Sequence, residues 1–255
     1  ILMPEDPRDS GHDGAGTAEA VLAAPLPVIA VTMGDPAGVG PELCLRLLRE
    51  PSLLAVCRPV IFGDADVLRR VADALSWPFD ETWVVASLDE APAMASAIWH
   101  LPVAGLPEML RPGHFTAETG AASFHYIEHA IAAVQGRRVA GVTTGPINKG
   151  ALHAAGIDFP GHTEIFAERT GSKRWCMMQW SEILTCTFVT CHVGYAEVPA
   201  LLTRERILEV IELTADALRR LGKPEPRLVV CGLNPHAGEA GLFGHHEEER
   251  SVLPA

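Results

Sequence analysis

The sequence has no cysteine pair at C-x-x-C spacing, no apolar run of membrane-spanning length, no surplus of positive charge and no internal repeat. Each absence excludes something. The six cysteines, Cys44, Cys57, Cys176, Cys186, Cys191 and Cys231, lie mostly in apolar runs, where a free thiol packs as a small hydrophobe. They read as reduced thiols of a cytoplasmic protein, not as a disulfide framework or a cysteine-rich zinc site. A membrane-crossing helix needs about 20 consecutive apolar residues, and no run approaches that. Residues 19–31 are apolar but lack a basic leading segment and are broken by Pro25 and Pro27, which argues against a signal peptide. The formal net charge of −12 disfavours nucleic acid or an anionic membrane as partner, because both select basic surfaces. A phosphorylated metabolite stays admissible, since its binding depends on the local field.

What is present is alternation. With 255 residues, 48% of them hydrophobic and 20% charged, the chain can bury a substantial core as one large or two smaller domains. Residues 1–26 are rich in Gly, Asp, Pro and Ala without a sustained period and read as a flexible extension. From residue 27 onward, β-branched runs alternate with amphipathic stretches. Strands are expected at 27–32, 58–63, 83–85, 98–103, 139–144, 175–179, 184–193 and 227–233. Helices are expected from Pro41 and over 64–77, 117–135 and 203–221. Leu43, Leu45, Leu47 and Leu48 should face the sheet, and Phe124, Ile127, Ile131 and Val134 follow helical spacings of 3, 4 and 3. This pattern predicts an α/β fold with a largely parallel sheet covered by helices.

The first strand runs into MGDPAGVGPE, a Gly-rich turn opening a helix. Its glycines, at 34, 38 and 40, do not make G-x-G-x-x-G, so the turn is not a dinucleotide fingerprint. Asp35 is the residue there that could carry a function. Polar signals concentrate in residues 142–169, VTTGPINKGALHAAGIDFPGHTEIFAER. Asn148-Lys149 and His162-Thr163-Glu164 each stand at a loop-to-helix junction, where free backbone N–H groups and the helix dipole favour anions. His192 and His236 each follow an apolar run, TFVTC and LVVCGLNP. The carboxyl ends of strands are where open α/β sheets bind ligands. His125 and His129, four apart on one helix, read as a solvated face.

Four blocks, GDPAGVGPE, TTGPINKGALHAAGI, GHTEIFAERTG and CGLNPHAGEAGLFG, occur in the order and at the spacing of the metal-dependent 4-hydroxythreonine-4-phosphate dehydrogenase family of pyridoxal phosphate biosynthesis. The chain resembles that family from residue 28 to its end. The resemblance implies a two-domain fold similar to isocitrate and isopropylmalate dehydrogenases, with interleaved α/β subdomains over 27–255. It also implies a homodimer with its active site at the subunit interface, NAD or NADP as cofactor, and a divalent metal such as Zn, Mg or Co held by three histidines. His192 and His236 match the first two of these. His162 and Thr163 match the pair that contacts substrate. The implied chemistry is oxidation of the secondary alcohol of 4-hydroxythreonine 4-phosphate, then loss of the carboxyl group from the β-keto acid. Lys149 and Asp35 are the candidates for proton transfer or metal orientation, set against plainer roles as a surface lysine and a turn-stabilising residue.

Two departures qualify the resemblance. The third metal histidine is expected beyond Ala255, so the chain reads as a fragment truncated at its C-terminus, the alternative being a non-catalytic relative that lost this ligand. Val193-Gly194-Tyr195 also departs from the biosynthetic pattern. It leaves open a related phosphorylated four-carbon sugar acid, of the erythronate or threonate phosphate type, as the substrate. Retention of His162-Thr163 favours a phosphorylated acyclic substrate over a cyclic diol.

Overall fold

The structure is a computed structural model that describes residues 25–91 and 95–255. The extension expected at 1–26 therefore falls almost wholly outside the described residues. The chain divides into two compact units, one ending at Gly161 and the other spanning His162–Ala255.

The first unit is built on β1 (Val28–Thr32), β2 (Arg58–Gly63), β3 (Val84–Val85), β4 (Ala97–His100) and β5 (Gly141–Thr144). All pair in parallel, in the order β3-β4-β2-β1-β5. Central parallel strands are covered on both faces, so β1 and β2 read as nearly unbroken apolar runs, and Ala30, Ile61, Phe62 and Ile98 are fully buried. Phe62 and Trp99 face each other in the β2–β4 register and meet edge to face with centroids 5.0 Å apart.

The linking helices are α1 (Gly40–Leu47), α2 (Pro51–Leu54), α3 (Ala65–Ala74), α4 (Leu106–Met109), α5 (Ala117–Gln135) and α6 (Lys149–Ala154). Local chemistry sets their ends. Pro41 occupies the first turn of α1. The Asp64 carboxylate caps α3 by accepting from the Asp66 N–H at 2.9 Å. Thr116 and Thr119 cap α5 reciprocally. α5 buries Phe124, Ile127, Ile131 and Val134 as their spacing predicts, and lies against β1, β2 and β5. On α1 the expectation fails in part: Cys44, Leu45 and Leu48 are buried while Leu43 is 46% exposed. Residues 41, 44, 45 and 48 form one helical face, and Leu43 cannot share it.

Strand order reverses at β1. The chain builds outward through β2 and later returns to place β5 on the other side of β1. The loops leaving β1 and β5 then touch, with the Asp35 N–H donating to the Pro146 carbonyl at 2.9 Å. Two glycines permit this. Gly34 has φ +76° and a Cβ on it would strike the Pro146 carbonyl, while a Cβ on Gly145 would strike that of Met33.

The second unit holds α7 (His162–Thr170), β6 (Met177–Gln179), β7 (Cys186–Phe188), α8 (Val198–Leu201) and α9 (Arg204–Arg220). The strands expected at 175–179 and 184–193 are shorter than expected and pair antiparallel as a separate two-stranded sheet. Their short link allows no parallel crossover, which takes about a dozen residues or more. α9 packs on this hairpin through Ile207 and Val210, both buried. Arg206 fastens it by donating to the Val189 carbonyl at 3.0 Å and the Trp175 carbonyl at 2.9 Å. The strand expected at 227–233 does not form. No described strand pairs with that segment and Val229 is 90% exposed, so its backbone has no ladder to join.

All six cysteines are free thiols, and burial pushes the Cys44 thiol up to about 12, which keeps it protonated. Among the described residues, no helix is long and apolar enough to cross a membrane.

Gly34→Ala should lower stability by about 1–3 kcal/mol through its positive φ, with the Pro146 clash adding to this. Gly113→Ala, at φ +80° but with open space around it, should cost less. Denaturant unfolding of the two variants checks the difference, and equal costs would remove the close-approach argument.

Candidate functional site

In the first unit the candidate residues gather at the carboxyl ends of β1 and β5. Asp35 is 5% exposed, and its Oδ1 accepts the Ala37 N–H at 2.9 Å, closing an Asx turn. Asn148 Oδ1 accepts the Ala151 N–H at 3.0 Å and caps α6, whose first residue is the exposed Lys149. The Asp35 N–H contact with Pro146 thus brings Asp35 and the 145–149 loop to one edge. That edge is the switch point of the sheet, the place where open α/β sheets take ligands.

One cluster escaped the sequence reading. Donor atoms of Asp64, Asp66 and His100 lie within 4.8 Å of one another, a spacing that could accommodate a cation. Most of that capacity is engaged. Asp64 Oδ1 caps α3, Asp64 Oδ2 accepts the Val103 N–H at 3.1 Å, and His100 Nδ1 accepts the Ala65 N–H at 3.0 Å. A metal would compete with these backbone donors, so the arrangement reads first as a cap that ties α3 to the loop after β4. Asp64 was legible as a capping residue ahead of an apolar helix, but no local signal reaches from there to His100.

In the second unit His162, Thr163 and Glu164 open α7. His162 Nε2 is buried without a hydrogen-bond partner, and burial lowers the pKa of the ring, which favours the neutral imidazole. Glu164 Oε1 meets His192 Nδ1 at 2.8 Å, while Glu164 Oε2 is buried with no hydrogen-bond partner. His192 lies beyond β7 on a turn residue with φ +55°, and His236 follows no strand at all. The expectation that each histidine follows the end of an apolar strand holds for His192, which comes after β7, and is corrected for His236, which no described strand precedes directly.

His236 begins a left-handed stretch running to Ala240, with φ between 42° and 79°. Such backbone costs roughly 1–2 kcal/mol for each residue other than glycine, and it persists only where its surroundings over-determine it. Here Glu247 and Glu248 supply the restraint. Glu248 Oε1 accepts the Asn234 N–H at 2.8 Å, and the Asn234 side-chain amide donates to both carboxylates at 3.0 Å. Hydrogen bonds from the His245 N–H to Glu247 and from the Asn234 N–H to Glu248 lower the pKa of each acid. Among the described residues, the aspartate–histidine cluster is the only set of three or more close potential metal donors, and it includes neither His192 nor His236.

A parallel sheet that reverses at β1, with polar loops at its switch point, defines an α/β protein of the open-sheet, ligand-binding type. More specifically, the chain belongs to the family described as pyridoxal phosphate biosynthetic protein PdxA, whose model matches residues 55–255. It is 42% identical to a protein of Symbiobacterium thermophilum named putative D-threonate 4-phosphate dehydrogenase, over 90% of this chain and 68% of the relative. It is 39% identical to the D-threonate 4-phosphate dehydrogenase of Cupriavidus necator, over 90% and 69%. The crystal structure of 4-hydroxythreonine-4-phosphate dehydrogenase from Klebsiella pneumoniae superposes with a TM-score of 0.76 at 39% identity, covering 90% of this chain and 69% of that one. The isocitrate dehydrogenase-like fold that the sequence resemblance implied is therefore the fold of this chain.

The depressed pKa of His162 fixes the sign of a pH effect. Above the ordinary histidine value of 6.5, the ring is neutral folded and unfolded, and stability is at its full level. Below it the unfolded chain takes up a proton that the folded ring resists, so stability falls until the folded pKa is passed. His162→Gln should therefore flatten the loss of stability between about pH 7 and 5, as read from thermal unfolding across that range. An unchanged pH slope would show that the ring is not held neutral.

Proposed function

We propose that the chain acts as a metal-dependent NAD oxidoreductase that oxidises the secondary alcohol of 4-hydroxythreonine 4-phosphate, with decarboxylation following, as part of pyridoxal phosphate biosynthesis. Membership of the PdxA family over residues 55–255 is the observation that carries this reading. In it, His162 and Thr163 contact the substrate, His192 and His236 hold the metal, and Lys149 and Asp35 serve proton transfer or metal orientation. The enzyme works as a cytoplasmic homodimer with its active site at the subunit interface.

The residues fit a metal in their chemistry. Two imidazoles stand on turns outside the core, and one has a carboxylate at 2.8 Å, the usual company of a ligating histidine. The metal, when bound, supplies Lewis acidity toward a developing oxyanion, and the nicotinamide supplies hydride acceptance. The chain's own contribution is binding and placement. A neutral His162 can donate to or accept from a phosphate oxygen, and the first turn of α7 offers free N–H groups to the same anion. Lys149, exposed at the head of α6, is the ammonium group of this reading.

A second reading, D-threonate 4-phosphate as substrate, is favoured by the names of the two relatives described above. The two candidates share a carboxylate, a 3-hydroxyl and a 4-phosphate, and differ in carrying an amino or a hydroxyl group at C2. Incubating the protein with each, with NAD and a divalent metal, and following NADH absorbance with and without chelator separates them. NADH formation that chelator abolishes is expected with at least one, and none with either would remove the reading. His192→Ala and His236→Ala should each reduce chelator-sensitive turnover by at least about 100-fold, since losing only a ligand's own hydrogen-bond partner already costs about 10- to 100-fold.

Asp35 allows a sharper separation of roles. Asp35→Asn keeps an oxygen for the Ala37 N–H and removes the charge, whereas Asp35→Ala removes both. A catalytic Asp35 predicts an Asn variant with normal stability and lost turnover. A purely turn-holding Asp35 predicts an active Asn variant and an Ala variant destabilised by about 1 kcal/mol, as for a lost cap.

A further inference from the structure

The first turn of α7 carries three consecutive polar residues, and the family reading uses only two of them. Glu164 is the third. It reaches across the second unit to a residue 28 positions away, with Oε1 at 2.8 Å from His192 Nδ1. Its side chain is 17% exposed and that of His192 31%, so the contact is shielded and the imidazole keeps an open side. Glu164 Oε2 is buried with no hydrogen-bond partner, an arrangement that stability alone would not select.

A carboxylate oxygen is an acceptor, so an Nδ1 at 2.8 Å from it is matched to the tautomer that carries its proton there. A neutral imidazole has a single ring proton. Fixing it on Nδ1 leaves the Nε2 lone pair bare and the ring plane locked. We infer that Glu164 is a positioning residue for His192, holding it in the Nδ1–H tautomer with Nε2 presented as a metal-ligating atom. The inference deepens the metal reading and rests on it for its functional meaning, while the tautomer itself is a property of the chain without metal.

Two features make the arrangement more than a surface ion pair. His192 sits at φ +55°, a left-handed conformation that a non-glycine residue adopts at a cost, and the Glu164 contact restrains the side chain in that conformation. Glu164 also follows His162 and Thr163 on one helical turn. Any shift of that turn on occupancy of the anion site would therefore be transmitted to the His192 ring.

The test uses the 255-residue chain with ¹⁵N-labelled histidine. In the metal-free wild type, the His192 ring should show a protonated Nδ1 and an unprotonated Nε2 at pH 7.5. Glu164→Ala should give a mixture dominated by the Nε2–H form, which prevails in free imidazole side chains. Glu164→Gln, whose amide oxygen can still accept, should largely restore the wild-type pattern. Titrating Zn²⁺ and following the His192 Nε2 resonance should give an affinity 10- to 100-fold weaker in Glu164→Ala, with Glu164→Gln between it and the wild type and all three melting alike.

The outcomes separate the two claims. A wild-type His192 protonated on Nε2, or a Glu164→Ala variant with unchanged tautomer and a Zn²⁺ affinity within twofold of wild type, overturns the positioning role. If His192→Ala binds Zn²⁺ as tightly as wild type, the metal assignment of His192 is what fails, whatever the tautomer shows. Should Glu164→Ala unfold, the Gln variant decides alone: an Nδ1–H ring with a Zn²⁺ affinity weaker than wild type upholds the positioning role, and an Nε2–H ring or an affinity equal to wild type in a folded Gln variant overturns it.

Discussion

The Asp35 N–H reaches the Pro146 carbonyl only because neither Gly34 nor Gly145 has a side chain to hold the two loops apart. That approach fixes the edge at which β1 and β5 end. Parallel neighbours leave their carboxyl ends side by side, but a crevice between them closes or opens with the loops that follow. Here a pair of backbone hydrogen bonds, from the Asp35 N–H to the Pro146 carbonyl at 2.9 Å and from the Gly145 N–H to the Thr32 carbonyl at 2.7 Å, sets the spacing. It leaves the Asp35 side chain to close its own turn and starts α6 with Asn148 as cap and Lys149 outward. Of the glycines that looked like a failed dinucleotide motif, Gly34 serves this loop-to-loop contact.

In the second unit, carboxylates do the positioning work. Its two-stranded sheet is too small to orient the turns that bear His192 and His236, and both turns hold non-glycine residues at positive φ. Left to local preference they would relax. Glu164 meets the first at the ring of His192, and Glu247 with Glu248 clamps the second through Asn234. Acids that accept backbone and amide N–H groups are held ionised, consistent with the lowered pKa values of Glu247 and Glu248. Polar pairing thus does for these turns what apolar packing does for α5, and the geometry it fixes is that of the histidines themselves.

Much of the first unit was legible because its signals are local or periodic. β2 and α5 begin and end where the pattern put them, since Arg58–Gly63 is a bounded β-branched run and Thr116 caps a sustained 3.6 period. Leu43 was misplaced because four leucines in six positions invite a count of apolar residues in place of a helical face. Segment 227–233 shows the converse failure. Its β-branched content satisfies every local criterion for a strand, but a strand is a pairing and propensity cannot supply the partner. At the candidate site, His162, His192 and His236 are singled out by junction position and family motifs. Glu164 was read only as part of a motif, because its role depends on a contact 28 residues along the chain. The cluster at Asp64 and His100 was missed for the same reason, being assembled by adjacent strands and not by spacing.

The division of relatives between two substrate names has a physical reason in the parts of the site that the sequence preserves. The two substrates present the same phosphate, carboxylate and 3-hydroxyl, so any residue that reads only those groups treats them alike. In the proposed arrangement, His162, Thr163, His192 and Lys149 are all of that kind: an anion contact, a metal ligand and a proton-transfer group. Discrimination must come from whatever faces C2, where one substrate carries an ammonium and the other a hydroxyl. A carboxylate there would favour the amino acid, and a neutral or cationic group the sugar acid. The formal charge of −12 does not decide this, because at physiological ionic strength charges beyond about 8 Å are largely screened. In the proposed arrangement substrate choice therefore rests on groups other than these four residues, which is why motifs that identify the family so readily leave the substrate to be measured.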